Sequence, residues 1–337
     1  MLYNLARPLL FQLDAERAHD FGLAFARFIA DQPSLARLIH RYTTPRRLKS
    51  VCVAGLDFPN RVGLAAGLDK NAVAPMAWWA FGFGFIELGT VTPRAQPGNP
   101  KPRMFRDIRN RAIINRMGFN NDGAAAVAAR LAEQARTGRR PPIPIGISVG
   151  KNADTPLERA ADDYASAAEK LAPHADFMSI NVSSPNTVGL RSLQTAESLR
   201  QLIRAVQSVI ANKPLFVKVA PELTGDALAK VVDTCLSEGV AGMIATNTLA
   251  TTGAAGQPIG GLSGRPIREM ALRRVAEVRK LLGGTAALIG CGGIDDVPSA
   301  RSMISAGADL IQFYTGLVYE GPFLPARLVR RLSMLDR

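Results

Sequence analysis

The chain has 337 residues, 47% of them hydrophobic and 20% charged, which is ample for a sizeable buried core and excludes a disordered chain. Its three cysteines, Cys52, Cys235 and Cys291, include no C-x-x-C pair, which excludes a disulfide framework or thiolate zinc site and suits a reducing compartment. The net charge of +13 is spread through residues such as Arg7, Arg103, Arg139, Arg273 and Arg330 without an aromatic-interleaved basic stripe; this argues against nucleic acid and leaves an anionic surface or anionic ligands as partners.

Residues 1–49 come first and read differently from the rest. Asp14 is placed to cap a helix in which Ala18, Phe21, Phe25 and Phe28 or Ile29 recur at three- and four-residue spacing on one face. A second short helix is expected from Ser34 to about Tyr42. The segment holds eight Lys or Arg, Arg46 and Arg47 among them, against four acids, a net charge of +4. A basic amphipathic helix pair suits an interfacial element, while periodicity alone also fits helices that merely pack over the main domain. No apolar stretch approaches the roughly 18 residues of a spanning helix, and the N-terminus lacks the pattern of a secretory signal, so neither spanning nor export is expected.

From residue 62 onward, short apolar runs rich in β-branched residues alternate with helical patterns. The runs cover 62–66, 85–90, 143–149, 177–182, 215–220, 242–246, 287–291 and 310–314, with helices expected at 124–136, 157–171, 196–210, 226–237 and 267–282. Eight strand-then-helix repeats predict a (β/α)8 TIM barrel over residues 50–337, preceded by an N-terminal helical extension over 1–49. A doubly wound sheet would need G-x-G-x-x-G after its first strand, which Gly63, Gly67 and the following Leu68-Asp69-Lys70 do not supply. The segment 148–152 is no P-loop, because Ile145 stands where the first glycine belongs and Asn152 where Ser or Thr would hold magnesium. Two long loops, 91–142 and 247–266, exceed what a minimal barrel needs, and long loops are usually functional. The second carries Gly253, Gly256, Gly260, Gly261 and Gly264, which suits flexibility or close backbone approach to a ligand.

In such a barrel the active site lies at the C-terminal ends of the strands. The residues there are Ala66-Gly67-Leu68-Asp69-Lys70, Gly89-Thr90, Ser148, Asn181 to Asn186, Lys218, Thr246-Asn247-Thr248, Gly292-Gly293 and Tyr314-Thr315-Gly316. The last two runs end in glycines, where barrel enzymes commonly bind phosphate through backbone N–H groups, although tight turns also use glycine. Asp295 and Asp296, with Pro298 close behind, are placed to cap the next helix. None of the three histidines, His19, His40 and His174, falls in these loops, and no carboxylates pair there. Histidine catalysis, a metal site and glycosidase chemistry are therefore not expected. Lysines, asparagines and hydroxyls bind anions and polar rings, and point to reactivity supplied by a cofactor.

Six segments in order resemble the motifs of the dihydroorotate dehydrogenases: Ala66 to Lys70, Gly89 to Pro93, Asn115 to Asn121, Asn181 to Asn186, Ala245 to Thr248 and Gly260 to Pro266. The resemblance, to the membrane-associated, quinone-reducing branch, runs from the N-terminal helices through Tyr314. It implies an FMN enzyme that oxidises (S)-dihydroorotate to orotate in de novo pyrimidine biosynthesis, passing hydride to the flavin and electrons to ubiquinone or menaquinone. The implied cofactor contacts are Ala66, Gly67, Leu68, Asp69, Lys70, Thr90, Asn181, Lys218, Thr246, Gly264, Gly293, Tyr314 and Thr315. Ser148 joins them where quinone-linked relatives usually carry Asn, its shorter hydroxyl reaching the flavin through a water.

The implied substrate contacts are Lys70, Asn115, Arg116, Met117, Gly118, Phe119, Asn181, Asn186, Asn247 and Thr248. Amide side chains donate and accept at once, which suits a pyrimidine dione edge; Lys70 would pair with the carboxylate and Lys218 would favour the anionic reduced flavin. The implied base is Ser184, where soluble relatives use Cys. Serine is a weak base, so its proton would leave through water or a threonine hydroxyl; outside the motif it would read as a turn residue before Pro185. Asn181-Val182-Ser183 matches a glycosylation sequon but lacks an export signal. The branch further implies a monomer on the cytoplasmic face of a bacterial cell membrane, held peripherally. A different FMN barrel, reducing uracil-like rings with a nicotinamide donor, would be expected to carry a Cys base and a partner domain or iron–sulfur cysteines. A non-catalytic nucleic-acid-binding barrel would show no flavin absorption.

Overall fold

Eight parallel strands close into a barrel in the computed structural model, which describes residues 2–45, 48–253 and 258–334. Arg46, Arg47 and Gly256, singled out above, lie outside the described residues. The strands are β1 Val62–Leu64, β2 Phe85–Val91, β3 Ile145–Val149, β4 Phe177–Asn181, β5 Leu215–Val219, β6 Gly242–Ala245, β7 Ala287–Cys291 and β8 Leu310–Phe313. They follow one another around the ring in chain order, and β8 closes on β1 with Gln312 opposite Gly63. Strands β2 to β6 are buried along their whole length, as expected of a parallel sheet covered by helices. This is the TIM barrel that the eight apolar runs predict, and the helix Ala124–Arg136 has the expected bounds.

The lower end of the lumen is filled by aromatic rings seated on glycines. Gly63 pairs with Phe85, Gly146 with Phe177 and Gly242 with Phe216 across neighbouring strands. A Cβ at these glycines would fall 2.1, 2.1 and 2.4 Å from the facing ring, so only glycine leaves room for it. The short hairpin Val51–Val53 and Leu56–Phe58 adds Phe58 to the cluster.

At the upper end the two long loops join. Strands Met104–Asp107 and Ala112–Asn115 form a hairpin, and Gly261–Gly264 and Leu249–Ala250 extend it into a four-stranded antiparallel sheet that roofs the barrel mouth. Gly261 lies opposite Asn115 in this sheet and Gly264 opposite Ala112.

Three helices precede the barrel: α1 Leu2–Leu10, α2 Ala15–Ala30 and α3 Pro33–Thr43. Asp14 caps α2 as expected, its carboxylate accepting from the N–H groups of Glu16 and Arg17. The α1 helix was not foreseen; it carries Pro8 internally, which breaks the helical signal. The expected single apolar face of α2 is in fact two. Ala26, Ile29 and Ala30 are buried, whereas Phe21, Phe25 and Phe28 are 60%, 54% and 58% exposed. Ile29 follows Phe28 directly and so lies about 100° further round the helix. Leu5, Leu9, Leu13, Leu38 and Tyr42 are exposed as well. Glu16, buried, anchors α2 to the roof through Arg103 at 2.8 Å and Lys101 at 3.2 Å. Among the described residues, no helix is long and apolar enough to cross a membrane.

Candidate functional site

The strand ends and the roof enclose a cavity of about 1180 Å³ including its open mouth. Its floor is polar. Lys218 projects from β5, and its Nζ lies 3.4 Å from Oε2 of the buried Glu87 on β2. Burial alone would push the lysine toward neutrality, but the Glu87 carboxylate more than offsets this and holds its pKa above the ordinary value. Beside it, Asn181 donates to Thr90 Oγ1 at 2.8 Å, and Asn247 donates to Asn181 Oδ1 at 3.1 Å and Ser183 Oγ at 2.9 Å. Asn186 donates to Asn115 Oδ1 at 3.0 Å. This amide network fixes which edge of each side chain faces the cavity.

Ser184 lies in the loop after β4, buried yet lining the cavity. Its Oγ accepts from the Asn186 N–H at 3.2 Å. Lys70 lines the opposite wall, where burial, reinforced by repulsion from Arg103, brings its pKa down to about 8. Behind it, His19 of α2 sits with Nδ1 3.3 Å from the Tyr314 hydroxyl. Burial and the nearby Lys70 charge push this imidazole down to about 3, so it is neutral at physiological pH.

The far end of the cavity is built from glycines and guanidiniums. Gly264 has φ +94° and Gly293 φ +71°, both in the region that favours glycine. Ser263 Oγ lies 2.8 Å from Thr315 Oγ1. Asp295 gathers Arg111 at 3.1 Å, Arg265 at 2.7 Å and Arg268 at 2.5 Å. Arg111 also pairs with Glu320, so three guanidiniums meet two carboxylates here, and of the three Arg111 and Arg265 line the cavity. The expected capping role falls to Asp296 alone, which forms a capping box with Ser299 at the start of the helix Val297–Ser305.

The cavity brings together Ala66, Gly67, Lys70, Thr90, Asn115, Met117, Gly118, Phe119, Asn181, Ser184, Asn186, Lys218, Thr246, Asn247, Thr248, Gly264, Gly293, Tyr314 and Thr315. Four expected contacts are not on its wall. Leu68 is packed in the core. Asp69 is consumed by the N–H groups of Val73 and Ala74 and the indole of Trp78, at 2.8, 2.9 and 2.9 Å; it shapes the turn that carries Lys70. Arg116 turns outward over the Phe105 ring and donates to the Pro102 carbonyl. Ser148 is buried behind Thr90, 3.0 Å from its hydroxyl. Conversely, Arg111, Ser263, Arg265, Cys291 and Tyr319 line the cavity without having been among the expected contacts.

The model of the dihydroorotate dehydrogenase family matches residues 48–335. Dihydroorotate dehydrogenase (quinone) of Chloroflexus aurantiacus is 48% identical, over 97% of this chain and 94% of the relative. That of Myxococcus xanthus is 45% identical over 99% of this chain and 93% of the relative. Among solved structures, DHODH from Eimeria tenella in complex with ferulenol superposes with a TM-score of 0.84 at 36% identity, covering 96% of this chain and 92% of the other.

Proposed function

This chain belongs to the dihydroorotate dehydrogenase family, in its quinone-dependent branch, and we propose that the flavin of this family is here FMN, held between the Lys218 floor and the glycine-lined end of the cavity. The enzyme oxidises dihydroorotate to orotate in pyrimidine biosynthesis, with a quinone as electron acceptor. The cavity itself supports this cofactor reading. Its two ends differ as a flavin's do: amides and an ammonium below for a heterocycle, and above, the Arg111 and Arg265 guanidiniums beside two glycines for one phosphate. When bound, the flavin accepts hydride from the substrate and passes the electrons on. The test is the absorption spectrum of the pure protein before and after anaerobic dihydroorotate. A flavin band that bleaches supports the reading, and a colourless protein or one yielding FAD would overturn it.

In this reading Asn115, Asn186, Asn247 and Thr248 present alternating donors and acceptors to the pyrimidine ring, with Met117, Gly118 and Phe119 walling it, and Asn181 serves substrate and cofactor alike. Ala66, Gly67, Thr90, Thr246, Gly264, Gly293, Tyr314 and Thr315 border the flavin. Ser184 takes the proton, and Lys70 pairs with the substrate carboxylate. Lys70 carries its charge below about pH 8 and loses it above. The KM for dihydroorotate is therefore expected to rise about tenfold per unit above that value while FMN stays bound. A KM that stays flat through this range in steady-state assays would remove Lys70 from the role.

Gly293→Ala tests the phosphate end. An added Cβ would lie 2.5 Å from Arg268 Cβ, on a left-handed backbone that costs a non-glycine residue about 1–2 kcal/mol. Titration of apoprotein is expected to show FMN affinity at least about tenfold weaker. Unchanged affinity would place the phosphate elsewhere.

Residues 1–49 form the membrane- and quinone-facing extension in this reading, and the barrel, 50–337, the catalytic domain. The exposed Phe21, Phe25 and Phe28 dip into the headgroup region of the membrane's cytoplasmic face without spanning it. Ubiquinone or menaquinone enters beside His19 and Tyr314, and one chain suffices for each step, so the enzyme works as a monomer.

A further inference from the structure

Glu87 is the one charged residue within the otherwise apolar or neutral run of β2, and it is buried inside the barrel. Its carboxylate accepts from Ser179 Oγ at 2.5 Å, from Gln312 Nε2 at 2.8 Å and from the Ala66 N–H at 3.3 Å, with Lys218 Nζ at 3.4 Å. These donors come from β4, β8, the end of β1 and β5, so the carboxylate is held from four sides. Of the titratable groups, Glu87 and the Cys291 thiol on β7 are the ones that face Lys218. A buried ion pair adds little to stability, and this one opens upward, because Lys218 lines the cavity while Glu87 lies behind it.

We propose that Glu87 is a positioning residue for the redox step: the fixed counter-ion that keeps Lys218 charged and in place at the cavity floor before any electrons arrive. This rests on the reading of Lys218 as a flavin contact. Its consequence is a proton count. With Lys218 already charged, two electrons arrive with one proton, taken up by the flavin, and the remaining negative charge is matched by the ammonium. In Glu87→Gln the buried lysine loses its counter-ion and is neutral while the flavin is oxidised. Reduction then draws a second proton, onto Nζ, so two electrons arrive with two protons.

The substitution is isosteric, and Gln312 Oε1, which has no partner among the described residues, offers an acceptor for the new amide. The midpoint potential of the FMN-loaded full chain, followed against pH by reductive titration with mediators, reads the count directly. Above the lowered lysine pKa the slope is expected to double in Glu87→Gln and to keep its original value in Glu87→Asp. Lys218→Met/Glu87→Gln is expected to bind FMN no more weakly than Lys218→Met, since Glu87 acts through Lys218 and the second substitution only removes an unpaired buried carboxylate. An unchanged slope in Glu87→Gln with FMN bound overturns the proposal alone. If Glu87→Gln does not fold, the last pair decides, and a further loss of FMN affinity on adding the second substitution overturns it. Absence of FMN from the unmodified chain would overturn the cofactor reading, and this proposal with it.

Discussion

Replacing Ser184 with alanine is expected to leave FMN bound and to slow its reduction by dihydroorotate by roughly 10²-fold or more, the usual scale for loss of a general base. The change is local. The Ser184 hydroxyl gives up one contact, the Asn186 N–H at 3.2 Å, and removing one oxygen leaves the cavity wall intact. Neither His19 nor Lys70 is placed on that side of the cavity to take the proton. His19 sits against Tyr314 on the α2 side, and Lys70 is a cation below about pH 8. Anaerobic rapid mixing of enzyme with dihydroorotate measures the reduction step apart from quinone turnover. If the rate did not change, the proton would have to leave by another group.

The second large effect concerns the membrane. Changing Phe21, Phe25 and Phe28 together to serine is expected to weaken binding to anionic vesicles sharply and to cut turnover with a membrane-borne quinone, while reduction by dihydroorotate stays intact. Full burial of one such side chain is worth about 1.5–3 kcal/mol. Three that are already near half-buried would together lose roughly 2–5 kcal/mol, about 30- to 4000-fold in affinity. Basic residues near an anionic surface add about 1 kcal/mol each, and these remain in the variant. Deleting residues 1–41 is a blunter test. It would also strip Ile29 and Ala30 from the core and leave Arg103 buried without Glu16, the kind of loss that costs about 3–5 kcal/mol. Vesicle flotation of the triple variant separates the two effects. Binding equal to that of the unmodified chain would make the helices a structural cap and send the quinone by another route.

The barrel was legible because each of its strands is a short apolar run and the longer covering helices, such as Ala124–Arg136, Ala196–Gln207 and Gly225–Ser237, are amphipathic, whereas the short Pro75–Ala80, buried almost all round, was not foreseen. Once the strands were placed, the fold itself delivered their C-terminal ends to one cavity, so Lys218, Asn181 and Thr246 were readable from position alone. What stayed hidden depends on side-chain direction or on distant partners. Leu68 and Asp69 sit inside a motif whose backbone borders the cavity, yet their side chains point into the core and into the Trp78 turn. The contact between His19 and Tyr314 joins residues 295 apart in sequence, and that between Arg111 and Asp295 spans 184. Glu87 did leave a signal: a carboxylate within a run destined for burial must find a partner, and the lysine of β5 was available.

The ring-on-glycine seats at the barrel floor bear on how this sequence can change over generations. Gly63→Ala alone would drive a methyl into the Phe85 ring, an overpacking that costs about 1–3 kcal/mol. Shrinking Phe85 alone would leave a void, and large-to-small changes of an aromatic cost about 3–5 kcal/mol at the extreme of alanine. Made together, the two changes nearly conserve volume. Positions 63 and 85, 146 and 177, and 242 and 216 should therefore be inherited as linked pairs, each crossing between states in two steps with a weakened intermediate.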